Sequence, residues 1–352
     1  MINKALTALC SVISISQDLV IPTQVKMQDS LSSRLESASK TIFIFKNRIT
    51  NEKYVVKVKS ENYCAELEKI INHPSFKVSI QEFIKGCILY QVKYTHFREA
   101  TIYTLNDDFI QKYTPQYLGS VNESGNVFII MKYVEPIVDL SLEDKTNQAL
   151  SFLAKLHSHF FKRYDKLDSI GLNILRPQFF NENINMIRSI YQKAIGMVVL
   201  PQQLLYDLSN YINQVDKEFK VMQDSGLTFC HCDFAFRNIL FELHSPIIID
   251  WELSTALEPQ FDLIEFMVDY PTPLIPLTIK NIINIYIDNA YYSINHREFQ
   301  IALLRNLYHY FCFRLDSLIL ISQKIPIHWL NSSIQNYVSI WKYLRQNTIE
   351  HL

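Results

Sequence analysis

The residues best suited to chemistry lie between positions 231 and 250. His231 and Asp233 form a His-x-Asp pattern, Asn238 follows the aspartate, and Asp250 ends the apolar run 247–249. Phosphoryl transfer needs one carboxylate that orients the attacking hydroxyl, and an amide oxygen and a second carboxylate that hold Mg²⁺ against nucleotide phosphates. The residue types and their order therefore fit phosphoryl transfer.

Short strands on either side of the loop would position these side chains. Residues 227–230 and 239–241 are apolar, and a polar turn at 242–246 leads into another apolar run at 246–249. Two such runs with a polar turn between them predict a β-hairpin under the loop. We expect the three polar groups to meet at one edge of this hairpin, where a metal–nucleotide complex would dock.

Two other interpretations of this stretch stay open. Aspartate and asparagine are common in turns, so a turn explains any one of these residues alone, whereas the joint pattern is more specific. Cys230, His231 and Cys232 carry metal-binding atoms, but they are consecutive and zinc sites usually draw on separated pairs of ligands. We favour buried thiols on one strand face for the two cysteines.

The composition is that of a globular protein. A length of 352 residues is enough for about two domains. The formal net charge of −1 implies neither a nucleic-acid nor a membrane partner, and no segment approaches the length of a membrane helix. Six scattered cysteines do not form a disulfide framework and fit a reducing compartment, so we expect a cytoplasmic location.

The first residues allow two interpretations. Lys4 precedes an apolar run at 5–13 that resembles a weak signal peptide, but threonine and serine interrupt the run and only one basic residue precedes it. An amphipathic helix packed on the first lobe is the favoured interpretation.

The segment 21–134 has the pattern of a strand-rich lobe, and the rest of the chain is mostly helical. Residues 97–105 are typical of a helix between two hairpins, which predicts a five-stranded lobe with one key helix. The β-type runs lie at 41–45, 54–58, 117–121 and 127–131. Helical spacing of apolar residues appears at 147–160, 301–322 and 332–346.

The motif at 231–250 resembles that of the aminoglycoside phosphotransferase and choline kinase family, the small-molecule branch of the protein-kinase-like fold. The Trp-Glu that follows Asp250 is that family's usual ending, in place of the Phe-Gly of protein kinases. The resemblance implies that Asp233 is the catalytic base and that Asn238 and Asp250 bind Mg²⁺. His231 would hold the loop by hydrogen bonds.

The same resemblance implies an α+β, two-lobed protein-kinase-like fold with a small antiparallel-sheet N-lobe and a mostly helical C-lobe. Residues 1–134 would form the nucleotide-binding lobe, and residues 135–352 the catalytic and acceptor-binding lobe. The segment 153–157 resembles the family's first large-lobe helix, in which His157 would serve packing and hydrogen bonding.

Lys57 lies in an apolar strand, where an unpaired lysine is costly. The family places a phosphate-binding lysine on this strand, paired with a helix glutamate, and Glu99 is the best match for that partner. The two residues are farther apart than usual, which implies an insertion with a helix at 65–71. Two alternatives stay open, namely Glu66 as the partner of Lys57, or Lys93 as the phosphate lysine.

The resemblance also implies further contacts to the nucleotide. The loop 35–40 would cover the phosphates, and it lacks the glycines that let a backbone approach them. We therefore expect Ser37 and Ser39 to contact phosphate, with an ordinary polar turn as the alternative. The carbonyl of Lys132 and the amide of Val134 would bind the base. ATP is the default donor, and such backbone contacts also admit GTP.

Glu258, Asp262, Glu265 and Asp269 recur at helical spacing after Asp250. An acidic face near the site would suit a cationic acceptor, such as an aminoglycoside, choline or ethanolamine, whereas charge runs more often mark a solvated face. Asp262 also matches a family aspartate that braces the large lobe. Aromatic residues in the last third admit a cage for a quaternary ammonium, although core packing is their more common role.

The expected function is transfer of the ATP γ-phosphoryl group to a hydroxyl of a small molecule. A kinase acting on proteins is disfavoured, because Asp-Trp-Glu replaces the protein-kinase ending and no activation segment is recognisable after Asp250. The unusual spacing after Lys57 and the glycine-free loop leave a nucleotide-binding pseudokinase or interaction module as the alternative.

Overall fold

The computed structural model describes residues 1–24, 40–60, 95–137, 139–169, 192, 194–242, 245–315, 319 and 328–349. The chain divides into two compact units, one formed by Met1–Val138 with Leu240–Leu253 and the other by Asp139–Ile239 with Ser254–Leu352. The division into lobes after residue 134 stays a prediction.

Runs of strands and runs of helices follow one another along the described residues, and the largest sheet is antiparallel, which confirms the predicted α+β class. The strands are β1 (Val20–Gln24), β2 (Lys40–Asn47), β3 (Lys53–Ser60), β4 (Tyr117–Glu123), β5 (Asn126–Lys132), β6 (Thr228–Cys230), β7 (Ile239–Phe241), β8 (Pro246–Ile248) and β9 (Thr255–Leu257). The helices are α1 (Ile2–Ile13), α2 (Thr95–Tyr103), α3 (Asp108–Tyr113), α4 (Leu142–Phe160), α5 (Tyr164–Ser169), α6 (Gln202–Asn213), α7 (Val215–Ser225), α8 (Gln260–Val268), α9 (Pro276–Asn289), α10 (His296–Tyr310) and α11 (Leu330–Ile349).

The first unit is built on a five-stranded antiparallel sheet in the order β1-β2-β3-β5-β4. The turn between β2 and β3 has a left-handed residue, Asn51 (φ 60°), and the turn between β4 and β5 has another, Gly125 (φ 73°). Val56 and Val58 of the central strand β3 are buried in the core of this unit. Because successive side chains alternate between the faces of a strand, Lys57 lies on the opposite face.

Helix α1 packs on this sheet through small and apolar residues, including Ala5, Ala8 and Leu9. Its approach to β4 is close enough to require a glycine there. A Cβ atom at Gly119 would lie 2.9 Å from a methyl carbon of Val12, and the glycine has a φ of 156°. This packing matches the amphipathic helix favoured for the segment.

The predicted hairpin under the loop is present, since β7 pairs with β8. The strand before the loop, β6, pairs instead with β9, a three-residue strand that follows Asp250 by a few positions. The β9 strand was not predicted, because a three-residue run carries too little periodicity to be recognised.

The second unit is mostly helical. Ser141 caps α4 by accepting a hydrogen bond from the backbone N–H of Asp144, and α4 buries Leu150, Leu153, Ala154 and His157. A π-helical turn, Phe311–Leu315, continues α10. Among the helices of the described residues, none combines the length and the apolar character needed to cross a membrane.

Candidate active site

One group of candidate residues, in the first unit, is a buried charge cluster on β3. Lys57 and Lys59 are two positions apart, so their side chains share one face of the strand. They are only 6% and 2% exposed, respectively. A lysine in such a position requires charged or hydrogen-bonding partners, because desolvation of an unpaired ammonium is very costly.

Glu99, on α2, supplies a partner for both lysines. One of its carboxylate oxygens, Oε2, lies 2.7 Å from Lys57 Nζ and 2.6 Å from Lys59 Nζ. Its other oxygen, Oε1, accepts hydrogen bonds from Tyr103 Oη at 3.0 Å and from the backbone N–H of Asp250 at 3.2 Å. Burial opposes the ionisation of Glu99, but the two lysines outweigh it, so the pKa of Glu99 is lowered.

The structure thus brings the predicted pair Lys57 and Glu99 together, across the long interval of sequence between them. The alternatives Glu66 and Lys93, and the helix predicted at 65–71, lie outside the described residues.

Asp250 completes the cluster. Its Oδ1 lies 2.6 Å from Lys57 Nζ and 3.5 Å from Lys59 Nζ. Its backbone is left-handed, with a φ of 65°. That conformation costs about 1 kcal/mol for an ordinary residue and less for aspartate, whose short polar side chain tolerates it. The strained turn lies where the chain leaves β8, as expected for a functional position.

Lys59 and Glu252 were not identified from the sequence. Lys59 forms an ion pair with Glu252, while Arg98 donates a hydrogen bond from Nη1 to the backbone carbonyl of Glu252 at 3.1 Å. Burial lowers the pKa of Lys59, but Glu252 and the neighbouring carboxylates more than offset this and raise it well above its usual range. The available signal was a second lysine two residues after Lys57, on the same strand face.

A separate group of candidate residues, in the second unit, lies in the loop after β6, and Asp262 of α8 braces this loop. Asp262 accepts hydrogen bonds from the backbone N–H groups of His231 at 2.7 Å and Cys232 at 2.8 Å. It also lies 3.2 Å from His157 Nε2. His231 in turn accepts a hydrogen bond through Nδ1 from the backbone N–H of Asp233 at 3.2 Å. These hydrogen bonds indicate that His231, His157 and Asp262 hold the loop in position.

The Asp233 carboxylate lies at the centre of this loop. Asn238 Nδ2 donates to Asp233 Oδ2 at 2.9 Å and to the Asp233 backbone carbonyl at 2.8 Å. Arg237 and Arg314 both pair with Asp233 Oδ1. The structure therefore brings Asp233 and Asn238 together, and it fixes the base candidate through charge-assisted bonds.

Arg314 was also missed. It lies in the π-helical turn, from which its Nη1 donates to the carbonyl of Cys232 at 2.9 Å and its Nε lies 2.9 Å from Glu265. Together with the Asp233 contact, one guanidinium ties three groups in a fixed geometry that a lysine cannot reproduce. No local sequence pattern indicates this, because Arg314 is 82 positions from Cys232.

The acidic run after Asp250 is internal. Glu258, Asp262 and Glu265 are 1%, 0% and 3% exposed. Glu258 pairs with Arg305, and Asp269 pairs with Arg237. The solvated-face interpretation is therefore wrong for the first three residues, and the sequence argument for a cationic acceptor is removed, because these carboxylates balance internal partners.

Cys230 and Cys232 are both buried, as favoured, but Cys232 lies beyond the end of β6 with a φ of 58°, so the two do not share a strand face. Burial raises the pKa of each thiol well above its usual range. These are the properties of structural thiols rather than reactive ones.

The predicted base-binding and phosphate-loop contacts are only partly within the described structure. Lys132 ends β5 and pairs through its side chain with Glu52 at 3.4 Å, and Val134 follows half-buried. Ser37 and Ser39 lie outside the described residues. The roles of these residues stay predictions.

The oxygen atoms of Asn238 and of Asp250 are each suited to binding a divalent cation. Mg²⁺ prefers oxygen ligands, which Asn238 and Asp250 both carry. Because Asn238 Nδ2 is committed to Asp233, Oδ1 is the amide atom available to a cation. The Asp250 carboxylate already interacts with one positive charge, the ammonium of Lys57.

Glu265 should make the stability of the loop pH-dependent. Burial, opposed by Arg314 and reinforced by Asp233 and Asp262, raises the pKa of Glu265 from 4.5 to about 8. Between these values the folded chain binds more protons than the unfolded chain, so this group's contribution to stability falls as pH rises through the window. We expect the melting temperature of the wild type, relative to Glu265→Gln, to decline across it. A difference that is constant with pH, in parallel thermal unfolding series, would contradict this.

The chain is similar to known proteins in its sequence profile and in its fold. A sequence profile of the phosphotransferase enzyme family matches residues 96–294. No curated protein sequence gives a significant match. Among solved structures, the choline kinase from Cryptosporidium parvum Iowa II is similar with a TM-score of 0.51 and 12% identity, covering 99% of this chain and 96% of that one.

Two further structures are similar at lower scores. The choline kinase LicA from Streptococcus pneumoniae has a TM-score of 0.48 and 14% identity, covering 96% of this chain and 98% of that one. The aminoglycoside phosphotransferase APH(2'')-Ib, bound to ADP, has a TM-score of 0.47 and 14% identity, covering 97% and 99%.

The matched segment covers more than half of the chain, and the fold is protein-kinase-like. The protein therefore belongs to the phosphotransferase enzyme family.

Proposed function

We propose that this enzyme transfers the γ-phosphoryl group of ATP to a hydroxyl of a small molecule. Asp233 orients that hydroxyl and takes its proton as the new bond to phosphorus forms. Lys57 contacts the phosphates, and Glu99 holds Lys57. Asn238 and Asp250 would hold Mg²⁺, which would supply positive charge against the negative charge that develops on the phosphates.

The observation that carries the proposal is the buried contact of Lys57 with two carboxylates, Glu99 at 2.7 Å and Asp250 at 2.6 Å. Removing such charges from water costs several kcal/mol per ion. Buried ion pairs are therefore weak evidence for a purely stabilising role. Binding of phosphate and a divalent cation gives each of them a function. An interaction module has no such requirement, and Asp233, Asn238 and Asp250 are all present.

Contacts to the rest of the nucleotide are proposed in the same way. The carbonyl of Lys132 and the amide of Val134 bind the base, and Ser37 and Ser39 contact phosphate. Since backbone groups recognise the base, GTP is a second candidate donor that a direct comparison with ATP would test.

The proposal does not require an amine on the acceptor. An aminoglycoside, choline or ethanolamine was the finer expectation, and its support was the acidic run that is bonded internally. Neutral sugars, which carry no amine, and amino acids with a hydroxyl group therefore stand beside these compounds as candidate acceptors.

A coupled assay of ADP release with Mg·ATP tests the proposal over a panel of aminoglycosides, amino alcohols, amino acids and sugars. We expect one chemical class to raise ADP release above the acceptor-free rate, with phosphorylated acceptor detected by mass spectrometry. Asp233→Ala, assayed with the same acceptor, controls for contaminating kinases.

The rival interpretation makes a different prediction. A pseudokinase would show a shift of melting temperature with Mg·ATP but no acceptor-dependent turnover across the whole panel. That combination would overturn the proposed activity while leaving nucleotide binding in place.

A further inference from the structure

We propose that Lys59 is a positioning residue, which stays paired with Glu99 and Glu252 and so allows Lys57 to exchange Asp250 for the nucleotide phosphates. This inference rests on the proposed function, in which Lys57 contacts phosphate. Lys59 would not touch the nucleotide itself.

Glu99 is the residue that links the two lysines. It is fully buried and lies within 2.7 Å of both ammonium groups. If Lys57 were its only partner, movement of Lys57 toward a phosphate would weaken the only ion pair of a buried carboxylate, which costs several kcal/mol. With Lys59 in place, Glu99 keeps a cation at 2.6 Å whatever Lys57 contacts.

Lys57 and Lys59 differ in how they are held. Lys57 contacts Glu99 and Asp250, the second of which is the proposed metal ligand. Lys59 pairs with Glu252, whose backbone carbonyl accepts a hydrogen bond from Arg98, and it lies farther from Asp250, at 3.5 Å against 2.6 Å for Lys57. Because Glu252 holds it, Lys59 would keep its partners. Lys57 could exchange one, because a divalent cation would replace Lys57 as the counterion of Asp250.

The exchange follows from charge balance. Lys57 neutralises part of the Asp250 charge. If Asp250 held a divalent cation as its counterion instead, the ammonium of Lys57 would be released for phosphate oxygens. Without Lys59, both Glu99 and Asp250 would depend on Lys57, so Lys57 would resist release and binding of the metal–nucleotide complex would weaken.

The test compares Lys59→Met with Lys57→Met and with Lys53→Met. Methionine keeps most of the side-chain volume and removes the charge. Lys53 is a matched control on the same strand, since it is exposed and pairs with Glu135. Binding of Mg·ADP is measured by calorimetry, and kcat and KM for Mg·ATP by ADP release.

We expect Lys59→Met to raise both the Kd for Mg·ADP and the KM for Mg·ATP by about tenfold, with kcat at saturation within about twofold of the wild type. Lys57→Met should instead lower kcat, and Lys53→Met should change neither constant. Lys59→Arg, which keeps the charge, should restore Kd and KM to near wild-type values.

Unchanged Kd and KM in Lys59→Met, with only a lower melting temperature, would make Lys59 a structural residue and overturn the inference. A loss of kcat equal to that in Lys57→Met would overturn it too, because Lys59 would then contact the phosphates directly. If Lys59→Met does not fold, Lys59→Gln carries the same test. Failure of the wild-type protein to bind Mg·ADP would contradict the proposed function itself. The inference on Lys59 fails alone when the wild-type protein binds Mg·ADP and Lys59→Met binds it equally well.

Discussion

Asp233→Ala is expected to lower kcat by about 10³-fold, because proton transfer to a positioned base typically contributes between 10² and 10⁴ in rate. The fold should persist. Arg237 keeps its pairing with Asp269, and Arg314 keeps Glu265 and the carbonyl of Cys232. The measurement is kcat with the acceptor found in the screen, with circular dichroism to verify folding.

Asp207→Ala is the matched control for Asp233→Ala. The Asp207 side chain is 16% exposed against 13% for Asp233, and it is likewise paired with an arginine, Arg345. It has no proposed role in the chemistry, so kcat should stay near the wild-type value. Turnover near the wild-type value in Asp233→Ala would contradict the assignment of Asp233 as the catalytic base.

Asp250→Ala is expected to abolish detectable turnover and the shift of melting temperature that Mg·ATP causes. The substitution removes a proposed metal ligand and leaves Lys57 paired with Glu99 alone. Alanine in the left-handed backbone at φ 65° adds a strain of about 1 kcal/mol, so some loss of stability is expected as well.

Asp250→Asn separates these two effects. Asparagine tolerates the left-handed backbone but lacks the negative charge, so it should lose turnover with a smaller loss of stability. Glu135→Ala, which removes the exposed partner of Lys53 in the same unit, should leave both readouts unchanged. Substantial residual phosphorylation in Asp250→Ala would count against the metal assignment.

The pairing of Lys57 with Glu99 was predictable because a lysine in an apolar strand must find a partner and the family pattern indicates where. The same logic applied to Lys59 would have found a second buried ammonium, since residues two apart share a strand face. Arg314 was beyond reach, because its contacts with the loop depend on tertiary packing and not on spacing.

The acidic run shows a different limit. Helical spacing correctly implies that Asp262 and Glu265 share a face, but it does not say what covers that face. Every residue of α8 is buried, so the carboxylates bind backbone N–H groups and arginines instead of solvent. A pattern of polar residues predicts solvent exposure only where no buried cation and no loop backbone binds those side chains.

Arg314 has a consequence for how much of the chain the chemistry requires. It lies beyond residue 294, where the family match ends, while Lys57 and Lys59 precede residue 96, where that match begins. A shortened chain limited to the matched segment would retain Asp233, Asn238 and Asp250 but lose the guanidinium and both ammonium groups that hold them. Truncation from either end should therefore impair turnover before it removes any proposed base or metal ligand.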